Sequence, residues 1–169
     1  MCVDCHGLFF GGRVTKGLCP DPFFMKRHRV VLDSRTFLME FSDGKPKANT
    51  QDGWRWCNMC EGMFFAGRNN GVCPFGGAHD PEGSGEYRMT FGFNPPTSGN
   101  PFPTQFRWCF KCEGMFEQNT ANPPILAPGG RPFGGSPSNG PCPADPTSVT
   151  GHSDDGSGLY LLRRGPPAP

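Results

Sequence analysis

Bulky and polar residues alternate in two short runs, Gly53-Trp54-Arg55-Trp56 and Gln105-Phe106-Arg107-Trp108, each standing immediately before a cysteine. A period of two suits a half-buried strand. A second apolar run follows shortly after: Leu8-Phe9-Phe10, Met63-Phe64-Phe65 and Met115-Phe116. Segments 28–33, 35–41, 86–93 and 159–163 are rich in Val, Phe, Tyr, Leu and Thr, are bounded by Gly, Asp or Pro, and read as further strands. No 3.6-residue period runs longer than about two turns, and the Gly/Pro punctuation would break a helix that tried. The pattern predicts an all-β chain with little helix. Segments 42–53 and 94–104 carry Pro, Gly and Asn and read as linkers.

The apolar pattern belongs to a repeat. Three C-x-x-C pairs, Cys2/Cys5, Cys57/Cys60 and Cys109/Cys112, are offset by 55 and 52 residues. Each leads into a similar phrase: His6-Gly7-Leu8-Phe9, Glu61-Gly62-Met63-Phe64 and Glu113-Gly114-Met115-Phe116. A G-x-C-P turn follows in each unit, ending on Cys19-Pro20, Cys73-Pro74 and Cys142-Pro143. Then come one histidine (His28, His79, His152), a serine (Ser34, Ser84, Ser157) and, three residues on, an aromatic (Phe37, Tyr87, Tyr160). Such internal repetition sets the architecture before any other argument. The units run 1–49, 50–101 and 102–164, with a Pro-rich tail at 165–169 that reads as an extended arm. Unit three carries a Gly/Pro-rich insertion over 117–139, and unit one has no Trp-x-Trp run before Cys2. The missing run leaves an edge that a strand from another chain would complete.

Composition sharpens the problem of what holds the fold. Gly and Pro account for 45 of the 169 residues. Leu, Val, Ile and Phe together reach only 31, too few for an ordinary core. Disorder normally goes with high net charge, whereas here the net charge is +1 with 18% charged residues, nine cysteines and three tryptophans. A balance so near neutral gives no electrostatic footprint for duplex nucleic acid, which makes nucleic acid an unlikely partner. No apolar run is long enough to span a membrane, and no signal peptide is visible, so the expectation is synthesis in the cytoplasm and a place within a larger particle.

Three cysteines per unit leave an odd thiol each time, which argues against a disulfide framework. With the recurrent histidine, each unit supplies Cys3His, a complete tetrahedral set for zinc. The sets are Cys2/Cys5/Cys19/His28, Cys57/Cys60/Cys73/His79 and Cys109/Cys112/Cys142/His152. In unit one His6 and Asp21 also compete for the fourth position. The expectation is three zinc ions per chain, with Gly7, Gly62 and Gly114 supplying the positive φ of the turn. A structural zinc contributes on the order of 10–16 kcal/mol of apparent folding free energy, enough to offset the aliphatic deficit. The C-x-x-C-x-G phrase resembles the zinc knuckle of zinc-ribbon and rubredoxin-like modules, over about six residues per unit.

Other chemistries fit less well. Cys2-Val3-Asp4-Cys5-His6 matches the c-type haem attachment phrase, but units two and three have Glu61 and Glu113 where the phrase needs His. A catalytic zinc keeps one position for water, whereas four recurrent ligands close the shell; the chain is expected not to be an enzyme. Trp54, Trp56 and Trp108 are candidates for stacking on sugars or bases, against the plainer expectation that they fill a small core around each metal. Arg13 and Arg68 read as solvated turn residues.

Three β units of about 50 residues resemble the arithmetic of the β-trefoil, a fold common among lectins; tandem zinc-ribbon-like beads are the other architecture. The function expected first is a zinc-binding structural or interaction protein, a subunit or decorating component of a larger protein assembly. A carbohydrate-binding module is second and a single-stranded nucleic-acid binder third.

Overall fold

The structure is a computed structural model that describes residues 1–2, 4–13, 15–21, 27–30, 35–92, 106–118, 139–147 and 151–167. It contains nine short strands and no helix among those residues: β1 (Arg35–Leu38), β2 (Glu40–Phe41), β3 (Thr50–Trp56), β4 (Met63–Phe65), β5 (Tyr87–Gly92), β6 (Phe106–Trp108), β7 (Met115–Glu117), β8 (Leu159–Leu161) and β9 (Arg163–Pro167). Every pairing is antiparallel. The alternating runs before the cysteines become β3 and β6, and the apolar runs after them become β4 and β7. These pair as tight hairpins, Trp56 opposite Met63 and Trp108 opposite Met115.

The three units close a ring twice over. Near the pseudo-threefold axis, the Leu8 N–H donates to the Met115 carbonyl at 3.0 Å and the Met63 N–H to the Leu8 carbonyl at 2.8 Å. One step outward the N–H groups donate in the opposite sense round the ring, at all three joints: Phe10 to Glu61 (2.8 Å), Phe65 to Glu113 (2.8 Å) and Glu117 to His6 (2.9 Å). The outer ring uses the strands around the aromatic landmarks. Phe41 pairs with Tyr87, Phe91 with Tyr160, and Arg164 with Phe37. One residue along, Glu40 pairs with Arg88 in the first joint and Arg163 with Leu38 in the last. Unit one therefore joins two, two joins three, and three returns to one in a single register.

That closure gives one shared core beside three small clusters, each gathering the cysteines of one unit around a phenylalanine. Leu8, Met63 and Met115 meet with Trp54, Trp56, Phe106, Tyr87, Tyr160, Met89 and Leu162, all buried. The arrangement overcomes the shortage of aliphatic residues, because each aromatic serves two units. Arg88 is a buried charge at its margin, paired with Asp52 at 2.6 Å and Asp43 at 3.0 Å.

Several expectations need correction. The stretch read as a linker at 42–53 already becomes strand at Thr50, where its backbone pairs with Thr90. The tail is no free arm: β9 lies along β1, with Pro167 opposite Arg35. Its Gly165 sits where a Cβ would fall 2.5 Å from Thr36 Oγ1, so the strand follows β1 closely. Of 28–33, only Val30 shows a pairing, an isolated bridge to Cys2; 31–33 and Ser34 lie outside the described residues, as do 94–104 and 119–138 of the insertion. In unit one Met1 holds the place that Trp56 and Trp108 hold in the others, directly before the first cysteine.

Candidate metal centres

Each C-x-x-C pair sits on a turn tied by two backbone hydrogen bonds. The N–H of the first cysteine donates to the glycine carbonyl five residues on: Cys2 to Gly7 (3.0 Å), Cys57 to Gly62 (2.9 Å) and Cys109 to Gly114 (2.9 Å). The residue after the second cysteine returns its N–H to the first: His6 to Cys2 (3.1 Å), Glu61 to Cys57 (2.8 Å), Glu113 to Cys109 (2.8 Å). Positive φ falls on these last residues, at 58°, 58° and 60°, and not on Gly7, Gly62 or Gly114 as the sequence suggested. The glycines are required for a different reason. A Cβ there would lie 3.3, 3.3 and 3.2 Å from the sulfur of the second cysteine. The short approach also lets the Gly62 N–H reach Cys60 Sγ at 3.4 Å.

The G-x-C-P turn brings in the third thiol from across the hairpin. Cys2 and Cys19 sulfurs stand 3.8 Å apart, Cys57 and Cys73 3.9 Å, Cys109 and Cys142 3.8 Å. The histidine closes the group through Nδ1: Cys5–His28 3.5 Å, Cys60–His79 3.4 Å, Cys112–His152 3.4 Å. All four donor atoms of each group lie within 4.8 Å of one another, and all twelve residues are buried. His28 therefore completes group one, and neither His6 nor Asp21 joins it. Each imidazole is held flat by a phenylalanine of its own hairpin, Phe9, Phe64 or Phe116, at ring separations of 4.6, 4.7 and 4.9 Å.

The electrostatics of each group ask for a cation. Hydrogen bonds hold the first cysteine well below the usual thiol range, led by Cys19 at Cys2, Cys60 at Cys57 and Cys112 at Cys109. The second cysteine is pushed up, by burial at Cys5 and Cys112 and by the Cys57 hydrogen bond at Cys60. The third rises to about 12 at Cys19, about 11 at Cys73 and about 12 at Cys142, each chiefly through its hydrogen bond with the first cysteine. Three buried thiols cannot all ionise in one another's field, and a dication at the centre removes the conflict. All nine cysteines fall in these groups, Cys2 and Cys5 together with Cys19 and His28.

The tryptophans proposed for stacking lie elsewhere. Trp54 has no exposed surface and packs edge-on against Tyr160 at 5.1 Å, so it offers no platform to a ligand. Trp56 is covered by Phe10 at 5.3 Å and by the Arg13 guanidinium at 4.4 Å. Trp108 is partly buried, with Phe65 at 6.2 Å and Arg68 at 5.3 Å from its ring. Arg13 and Arg68 are thus not simply solvated turn residues: each reaches from its own unit onto the next unit's tryptophan. The recurrent serines also find a role, since Ser84 accepts the Trp56 N–H at 2.9 Å and Ser157 the Trp108 N–H at 2.8 Å. On the axis, a pit of about 40 Å³ is lined by the same five positions from every unit, among them Pro20, Pro74 and Pro143.

Compared with family models, curated proteins and solved structures, the chain matches none. Fold and sites alone define the class: an all-β protein of three ring-closed repeats, each carrying a buried Cys3His donor set. Among the described residues no helix is long and apolar enough to cross a membrane.

Proposed function

We propose that the chain is a non-enzymatic structural protein held by three zinc ions, working as an interaction subunit of a larger protein assembly. The observation that carries this reading is the closure of the sites: none of the twelve ligand residues is more than 5% exposed. Catalytic zinc keeps a position for water, and a shell of four buried protein donors suits a structural ion. Zinc is the ion the donors favour, since thiolate-rich tetrahedral sets select it over harder cations. Zinc–sulfur bonds of about 2.3 Å and zinc–nitrogen bonds of about 2.0 Å imply donor separations of about 3.8 and 3.5 Å in a tetrahedron. The sulfur–sulfur distances of 3.8 to 3.9 Å and sulfur–nitrogen distances of 3.4 to 3.5 Å fit that frame.

The interaction role draws support from large apolar side chains left outside the core. Phe41 is 66% exposed, Leu38 53% and Phe75 52%. Carbohydrate binding competes on fold analogy only, and the covered tryptophans weaken it. Native mass spectrometry with sedimentation tests the proposal: three zinc ions per chain and association above the monomer are expected. A chain with three zinc ions that stays monomeric at micromolar concentration would remove the assembly role, and a specific glycan-array signal would move the function to carbohydrate recognition.

A further inference from the structure

The ring does more than place three metal groups near one another: each group is built against the backbone of a ligand residue from the next. Gly17, two residues before Cys19, has φ +56°, and a Cβ on it would fall 1.8 Å from the carbonyl oxygen of Cys60. Gly71, before Cys73, stands in the same relation to the Cys112 carbonyl at 2.1 Å, and Gly140, before Cys142, to the Cys5 carbonyl at 2.1 Å. The third-cysteine turn of unit one thus rests on the knuckle of unit two, that of two on three, and that of three on one. A direct bond joins the first pair of sites. His28, with Nδ1 turned to Cys5, gives its Nε2 hydrogen to the Cys60 carbonyl at 3.1 Å. At the second joint the Val72 N–H donates to the Cys112 carbonyl at 3.3 Å.

Resting on the zinc reading above, we infer that the three sites bind their ions as one cooperative unit. The seat for each third cysteine is the carbonyl of a residue whose own position is set by the next ion. Withdrawing the ion at Cys57/Cys60/Cys73/His79 frees Cys60, and the Gly17 turn and His28 lose the surface they pack on. Affinity at site one then falls without any change in its own ligands. The ring carries the loss onward, because site three rests on Cys5. Coupling between sites in proteins commonly amounts to about 5- to 150-fold in affinity. With three interlocked joints, a chain that has lost one ion holds the remaining two at least about tenfold more weakly than the full chain does.

The joints also differ in strength. Phe10 on Trp56 and Phe65 on Trp108 brace the first two. The third has Glu117 at the position of Phe10 and Phe65, and Met1 at that of the tryptophans. Coupling therefore runs more strongly from one to two and from two to three than across the return from three to one.

The test removes zinc stepwise from the native chain with a chelator under reducing conditions and reads ion number per chain by native mass spectrometry. Cooperative sites give chains with three ions or none, and one- and two-ion chains stay well below their statistical share. Replacing Phe10 and Phe65 by Ala, neither of them a ligand, should bring those intermediate species up. Cys73→Ser supplies a second reading: coupled sites leave it with fewer than two ions. One- and two-ion chains in statistical proportion, or a Cys73→Ser chain that keeps two ions as tightly as the parent, overturns the inference. A native chain carrying no zinc at all is a separate result and overturns the metal reading itself.

Discussion

Trp108 donates its indole N–H to Oε2 of Glu113 at 2.8 Å, across the tight hairpin of unit three. Glu113 is buried, with the Arg68 guanidinium 3.9 Å away and more than half exposed. Burial raises its carboxyl above the usual range, and the Trp108 bond and Arg68 only partly oppose that rise.

The sign of the resulting pH effect follows from that rise. A carboxyl whose folded-state pKa lies above its unfolded value favours the fold at low pH, and the benefit is lost as pH climbs through the folded value. Glu113→Gln keeps an acceptor for Trp108 while removing the buried charge. The variant should melt above the parent at pH 7.5, and the gap should narrow toward pH 5. Thermal melts at the two values, with zinc content matched, check this; a gap that widens toward pH 5 contradicts it.

Removing zinc should unfold the protein and not merely loosen it. The core is one shared cluster of ten buried residues, and the hairpins that present Leu8, Met63 and Met115 to it are all metal knuckles. Exhaustive chelation in reductant should abolish the β signal in far-UV circular dichroism. An unchanged spectrum with zinc loss confirmed would show that the ring stands unaided.

Cys73→Ser should cost more stability than Cys2→Ser. Unit two takes part in both aromatic-braced joints, through Trp56 under Phe10 and through Phe65 on Trp108. Unit one shares the joint where Glu117 replaces the phenylalanine. Melting curves of the two variants at saturating zinc test the order, and equal midpoints would mean that the joints contribute alike.

Gly71→Ala should be among the most damaging single changes. Its φ of +56° is left-handed, and the added methyl would fall 2.1 Å from the Cys112 carbonyl oxygen. Left-handed strain costs about 1–3 kcal/mol, and displacing the backbone of a neighbouring ligand adds to it. Gly83→Ala is the control, with φ +72° and nothing within 4 Å of the added carbon. Chemical denaturation should show a loss of about 1 kcal/mol at Gly83 and at least about 3 kcal/mol at Gly71. Similar losses at both would assign the cost to backbone strain alone.

The donor groups were legible because metal chemistry writes itself into residue type and spacing. Cys57, Cys60, Cys73 and His79 have few other reasons to recur together. The strands β3 and β6 were legible from alternation, and the recurrence of Phe37, Tyr87 and Tyr160 marks equivalent positions in the three units. What the sequence hid is carried by backbone. Nothing in the letters of Gly17, Gly71 and Gly140 says that each faces a carbonyl some 40 or more residues away along the chain. The joints are made by N–H and C=O groups such as those of Phe10 and Glu61, which any residue owns. The left-handed turn was misplaced by one residue because glycine is its usual occupant, while here His6, Glu61 and Glu113 adopt it and the glycine makes room for sulfur. Arg13 and Arg68 were misread for a related reason: an arginine in a glycine turn gives no sign that another unit's indole lies beneath it.

A head-to-tail ring in one register has a consequence for the history of the chain. Open arrays of repeats grow or shrink by whole units, since every unit meets only its neighbours and the ends stay free. Here the strand after Tyr160 returns to Phe37, and that pairing occupies the edges a further unit would need. A further duplicated unit would first have to open one of the three joints. Added length is accommodated more simply within a unit, between its knuckle and its third cysteine, where the spacing from Phe116 to Gly140 differs from that of its two counterparts.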